Sequence, residues 1–119
     1  MTNVGPLFEI ETLDSAAVVR FLRPTHIETG SAEPLADLLL ALKPSDPKAV
    51  IVDLGPLEWA DSMFLGILVG LYKKLQQQNR RMVVTSVPAQ VRDMLRLTGL
   101  HRLLSVHSTL EDALTQISR

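Results

Sequence analysis

Apolar and polar residues alternate along residues 7–12 (Leu7, Phe8, Glu9, Ile10, Glu11), the period of a strand with one covered face. After the turn signal Leu13-Asp14-Ser15, β-branched residues run through 16–22, so the chain is predicted to open with a hairpin. The period then lengthens to three and four. Leu35, Leu38, Leu39 and Leu42 form one apolar stripe behind Ser31 as N-cap and Glu33-Pro34 in the first turn, which predicts an amphipathic helix ended by Pro44. Ala49-Val50-Ile51-Val52 is short and uniformly apolar, the pattern of a central strand covered on both faces.

Residues 62–78 read as the longest helix, solidly apolar in the first half and amphipathic through Leu71, Tyr72 and Leu75, with a polar tail of Lys73, Lys74 and Gln76 to Gln78. Gly66 and Gly70, four apart, are expected to let it approach the sheet closely. Met82-Val83-Val84 marks a strand over 81–86, and Pro88 opens a helix over Val91, Met94, Leu95 and Leu97 that Gly99 stops. A last strand over 103–107 and a last helix capped by Ser108 or Thr109, with Glu111 and Asp112 in its first turn, complete the order β-β-α-β-α-β-α-β-α. Alternation of strand and helix with short connections predicts an α/β fold: a mixed, mostly parallel sheet with about four helices packed on it.

Composition narrows the function classes. With 119 residues, 46% of them hydrophobic and 21% charged, the chain suits one core, and no repeat or linker divides it, so residues 1–119 are expected to form a single domain. A net charge of −1 lacks the basic footprint that binding a phosphate backbone requires, so direct nucleic-acid binding is not expected. The absence of cysteine rules out disulfides, thiolate catalysis and cysteine-ligated zinc. Residues 1–13 do not read as a signal peptide, and the most apolar run, 63–71, falls well short of the roughly 20 residues that span a bilayer. A soluble, cytoplasmic protein without membrane insertion is the expectation.

Candidate chemistry gathers in residues 52–62, where a buried strand hands over to a buried helix, because sites on open α/β sheets cluster at strand ends. At a helix start the amides are unpaired and the dipole end is positive, so a phosphate on Ser62 would be tolerated by the fold. It would add about −1.5 to −2 charges beside Asp61 and Glu58 and repel a docked partner. Equally, Asp61 and Ser62 are residue types that simply cap helices. Trp59 in the same loop reads either as a core plug or as an exposed anchor. Asp53 reads as a strand-end turn cap. Glu28 and Thr29 are placed on the same rim if the first helix packs beside the second. No G-x-S-x-G elbow, phosphate-cradling glycine loop or metal-ligand spacing is present, and His26, His101 and His107 read as surface or edge residues. Catalysis, a metal and a cofactor are not expected.

The element order, the run AVIVDLGPLEWADSMFLGILVGLYKKLQ and the later MVVTSVPAQVRDMLRLTGLHRLLSVHSTLEDAL resemble a STAS domain, the fold of bacterial anti-sigma factor antagonists, over nearly the whole chain. The strand ending in Asp53-Leu54, the pair Asp61-Ser62 and the segment Leu97-Thr98-Gly99-Leu100 carry the resemblance. It implies that Ser62 is the phosphoacceptor of a partner anti-sigma serine kinase, that Asp61 belongs to the docking surface, and that the unmodified form binds that partner. It implies Glu28 more remotely, where the family has an aspartate in a Gly-x-Leu-Asp loop and this chain reads Arg23-Pro24-Thr25-His26-Ile27-Glu28. The family's helix opens Asp-Ser-Ser-Gly or Asp-Ser-Ala-Gly, whereas this one opens Asp61-Ser62-Met63-Phe64, two bulky residues in place of two small ones. The second reading is a constitutive STAS scaffold subunit, in a stressosome-like assembly or on a lipid-transporter ATPase, with Ser62 only a helix cap.

Overall fold

The computed structural model describes residues 8–22, 34–43 and 46–117. Strands β1 (Phe8–Thr12) and β2 (Ala17–Phe21) form the opening hairpin, followed by α1 (Pro34–Ala41), β3 (Ala49–Asp53), α2 (Ser62–Gln77), β4 (Arg81–Thr85), α3 (Ala89–Thr98), a 3-10 turn (Leu100–Arg102), β5 (Ser105–His107) and α4 (Leu110–Ile117). The five strands lie in sequence order across the sheet, antiparallel between β1 and β2 and parallel thereafter.

The sheet's two faces are unequal. Ala17, Val19, Phe21, Val50, Val52, Met82 and Val84 point to the larger core, where Leu38 of α1, Phe64, Leu68, Leu71 and Leu75 of α2, and Val91 and Leu95 of α3 cover them. The alternate residues Val18, Ala49, Ile51 and Val83 meet Ala113, Leu110, Leu114 and Ile117 of α4, with Leu13 and Ala16 of the hairpin turn beside them. All five residues of β3 are buried, which is why the four before Asp53 are uniformly apolar.

Phe21 sits at the hinge of this packing. Its ring meets Phe64 edge-on, with centroids 4.9 Å apart and planes at 83°, and meets Phe8 at 6.4 Å. Burying a side chain of this size stabilises by about 1.5–3 kcal/mol, and the edge-on geometry adds to it. Phe64 thereby pins the first turn of α2 to the sheet and fixes where the residue two positions earlier, Ser62, emerges. At the other end of α3, Gly99 adopts φ 76°, the left-handed conformation that a side chain disfavours, and closes the helix as its sequence position predicts.

Two expectations are corrected. Gly66 does not bring α2 close to the sheet: it is exposed, and a Cβ built on it meets nothing within 4 Å. The stripe facing the sheet is made by Phe64, Leu68, Leu71 and Leu75, while Gly66 and Gly70 lie on another side of the helix, along a groove. The last strand is shorter than 103–107, because Leu100 to Arg102 wind into the 3-10 turn and drop Leu104 into the core.

Candidate functional site

The β3–α2 junction is built by one carboxylate and one glutamine. Asp53, the last residue of β3, accepts from the Gly55 amide through Oδ1 at 2.8 Å and from Arg20 Nε through Oδ2 at 3.0 Å. A Cβ on Gly55 would stand 3.0 Å from that same Oδ1, so a side chain there would crowd the carboxylate. The turn-capping role expected of Asp53 is what the structure holds. Leu54 then continues from the end of central β3 by donating its N–H to the Thr85 carbonyl, and Leu57 and Ala60 are buried, which draws the loop down onto the core. Gln90 of α3 finishes the job: its Oε1 accepts from Ala60 N–H at 2.9 Å and its Nε2 donates to Ala60 C=O at 3.1 Å.

Asp61 is the N-cap of α2. Its backbone is extended, and its Oδ1 accepts from Phe64 N–H at 2.9 Å. The reading of Ser62 as the cap is therefore corrected: Ser62 is the first helical residue, it is exposed, and no hydrogen bond among the described residues engages its hydroxyl. One carboxylate satisfies the orphan amide, which leaves the neighbouring hydroxyl without a structural duty.

Glu58, Trp59 and Asp61, singled out in the sequence, precede Ser62 in the loop that enters α2. Glu58 is exposed, Asp61 is half-buried, and Trp59 is 50% exposed, so the tryptophan is a surface aromatic and not a core plug. Glu28 lies outside the described residues. Of the two bulky residues that follow the serine, only Met63 changes the surface, at 46% exposed, because Phe64 is turned fully into the core.

A feature missed in the sequence is a shallow groove of about 510 Å³ that begins at Ser62. Gly66, Val69, Gly70 and Lys73 of α2 form one wall, and Thr98 and Leu100 form the other. The signal was present: Ser62, Gly66 and Gly70 are spaced by four, which puts three small residues in line on one helix face. Among the described residues no group of three or more His, Asp or Glu side chains is arranged to hold a metal ion, and no helix is long and apolar enough to cross a membrane.

The architecture is that of known regulators. A solved anti-sigma factor antagonist from Mycobacterium paratuberculosis matches with a TM-score of 0.78 at 28% identity, over 94% of this chain and 93% of that one. An anti-sigma-factor antagonist (STAS) domain protein from Planctomyces limnophilus matches with a TM-score of 0.79 at 22% identity, over 94% and 98% of the two chains. The anti-sigma F factor antagonist of Paenibacillus polymyxa is 29% identical over 68 residues, 57% of this chain and 58% of that relative, so the alignment spans less than two thirds of it. The family model of the STAS domain matches residues 8–113, from the first residue of β1 into the middle of α4, and with that extent this chain belongs to the STAS domain family.

Proposed function

We propose that this chain is a phosphorylation-gated protein-binding regulator of the anti-anti-sigma type, which docks an anti-sigma factor serine kinase while Ser62 is unmodified and releases it once Ser62 carries phosphate. The reading rests on one observation. The Ser62 hydroxyl is exposed at the first residue of α2 while Asp61 does the capping, so a phosphate can be added without removing a bond that holds the helix. The positive end of α2 tolerates the new charge.

What the phosphate alters is the surface. About −1.5 to −2 charges added beside Glu58 and Asp61 make an anionic spot next to the exposed apolar faces of Trp59 and Met63. A partner that covers those two side chains would then bury uncompensated negative charge, which is costly, and dissociates. The relatives named as anti-sigma factor antagonists support this partner class. The work is binding, with no cofactor required of this chain, and a cytoplasmic location suits such a partner.

Incubation with an anti-sigma-type kinase and ATP tests the proposal by mass spectrometry. One phosphate on the wild-type chain, none on Ser62→Ala, and at least tenfold weaker kinase binding by Ser62→Asp are expected. Absence of modification, together with binding that Ser62→Asp leaves unchanged, would overturn it in favour of a constitutive scaffold subunit.

A further inference from the structure

A second concave surface lies between α3 and β5. α3 contributes Arg92 and Arg96, one helical turn apart, and the 3-10 turn adds His101 and Arg102 around a groove of about 500 Å³. Three of the chain's 12 lysines and arginines thus border one groove in a protein of net charge −1. The only ion pairs recorded among the described residues belong to Arg20, so these three guanidinium groups have no carboxylate partner there. Arg92 is held in place by donating to the Val87 carbonyl at 3.3 Å.

The groove is also apolar, and its apolar residues are uncovered. Val106 pairs with Val84 in register and so stands on the same face as that core residue, yet it is 42% exposed, and neighbouring Leu103 is 50% exposed. Among the described residues β5 is the edge of the sheet, paired with β4 alone, which leaves its outer backbone groups without a strand partner there.

We infer that this groove docks an extended acidic segment of a partner protein, whose apolar residues cover Leu103 and Val106 while its carboxylates pair with Arg92, Arg96 and Arg102. Charge complementarity selects the sign, since planar guanidinium forks pair with carboxylates bidentately. The open edge of β5 selects the extended form, because an added strand satisfies backbone groups that a helix would leave unpaired. A free phosphate would satisfy the arginines and leave both apolar side chains wet. This surface uses none of the residues assigned to the Ser62 junction, and it stands or falls independently of phosphorylation.

The test uses a capped seven-residue peptide, Glu-Thr-Val-Thr-Glu-Thr-Val, whose glutamates and valines share one face of an extended chain, titrated into the ¹⁵N-labelled full chain. Shifts centred on Ser105–His107 and on Arg92 and Arg96 are expected, weakening as salt is raised. A peptide with lysine in place of glutamate should bind at least tenfold more weakly, and so should the glutamate peptide to the double variant Arg96→Glu/Arg102→Glu. Both positions are exposed, and a retained amide spectrum confirms that the variant is folded. Ser62→Asp should leave this binding unchanged. The inference is overturned if the acidic peptide binds elsewhere or not at all, if charge reversal leaves its affinity intact, if inorganic phosphate alone reproduces the shifts, or if protein concentration alone does so.

Discussion

Arg20 and Asp53 face each other across the parallel pair β2–β3, and the guanidinium Nε donates to the carboxylate Oδ2 at 3.0 Å while Glu9 takes a second nitrogen at 3.2 Å. The hydrogen bond with Asp53 is the first cause that raises the Arg20 pKa above its ordinary value; burial acts against it, and Glu9 adds to it. A group with a raised folded-state pKa contributes stability in full below its unfolded value and loses it as pH climbs through the raised one. For arginine that window is strongly alkaline, so the guanidinium keeps its contribution throughout the neutral range. Removing it strands a nearly buried carboxylate. Arg20→Gln is expected to cost about 1–3 kcal/mol in urea unfolding, with Arg20→Lys recovering only part because the fork is lost. Glu11→Gln, at an exposed contact of 3.7 Å, should change stability by less than about 0.5 kcal/mol. An equal loss in the Arg20 and Glu11 variants would refute this ranking.

Asp61 and Ser62 are adjacent and have opposite duties. Asp61→Ala removes the cap on the Phe64 amide and should destabilise by about 0.5–2 kcal/mol. Ser62→Ala should stay within about 0.5 kcal/mol, as an exposed change that breaks no bond among the described residues. Thermal unfolding of the two single variants decides the assignment, which fails if the serine variant is the weaker one.

Gly66 occupies an exposed interior position of α2 with open space where a Cβ would stand. Gly66→Ala should therefore raise stability by about 0.5–1 kcal/mol through helix propensity and a less flexible unfolded chain. A loss measured by denaturant titration would mean that the glycine is packed after all.

Thr85 is fully buried at the end of β4, opposite Asp53 in register, and its Oγ1 has no hydrogen-bond partner among the described residues. Replacing a stranded hydroxyl by a methyl of similar shape removes a desolvation cost and no bond. Thr85→Val is expected to be neutral or more stable by up to about 1.5 kcal/mol, and a clear drop in melting temperature would show that the hydroxyl has a partner.

Local pattern carried the elements, while contacts between distant residues escaped it. Ala49 to Val52 announced a buried strand because both faces are covered, and Gly99 announced a helix end because its φ is positive. Asp61 and Ser62 could be placed at a helix start from residue type, yet their order of duty depends on which side chain reaches the Phe64 amide. Arg20 gave no signal, since its partner Asp53 is 33 residues away. Gln90 reads as one polar residue among others on α3, although it holds a loop 30 residues upstream. Gly66 and Gly70 of α2 face a groove and not the sheet, because spacing tells which residues share a face and not what the face meets. The mixture of Arg92, Arg96, Leu103 and Val106 is assembled by the turn after α3, which brings the strand alongside the helix.

The twofold grip of Gln90 on Ala60 makes α3 the tether of the serine's approach path. Ala60 sits two positions before Ser62, so a tilt of α3 cannot leave the start of α2 behind without severing two bonds. The same helix carries Arg92 and Arg96 a few residues further along, so α3 is the one element that the junction and the arginine groove share.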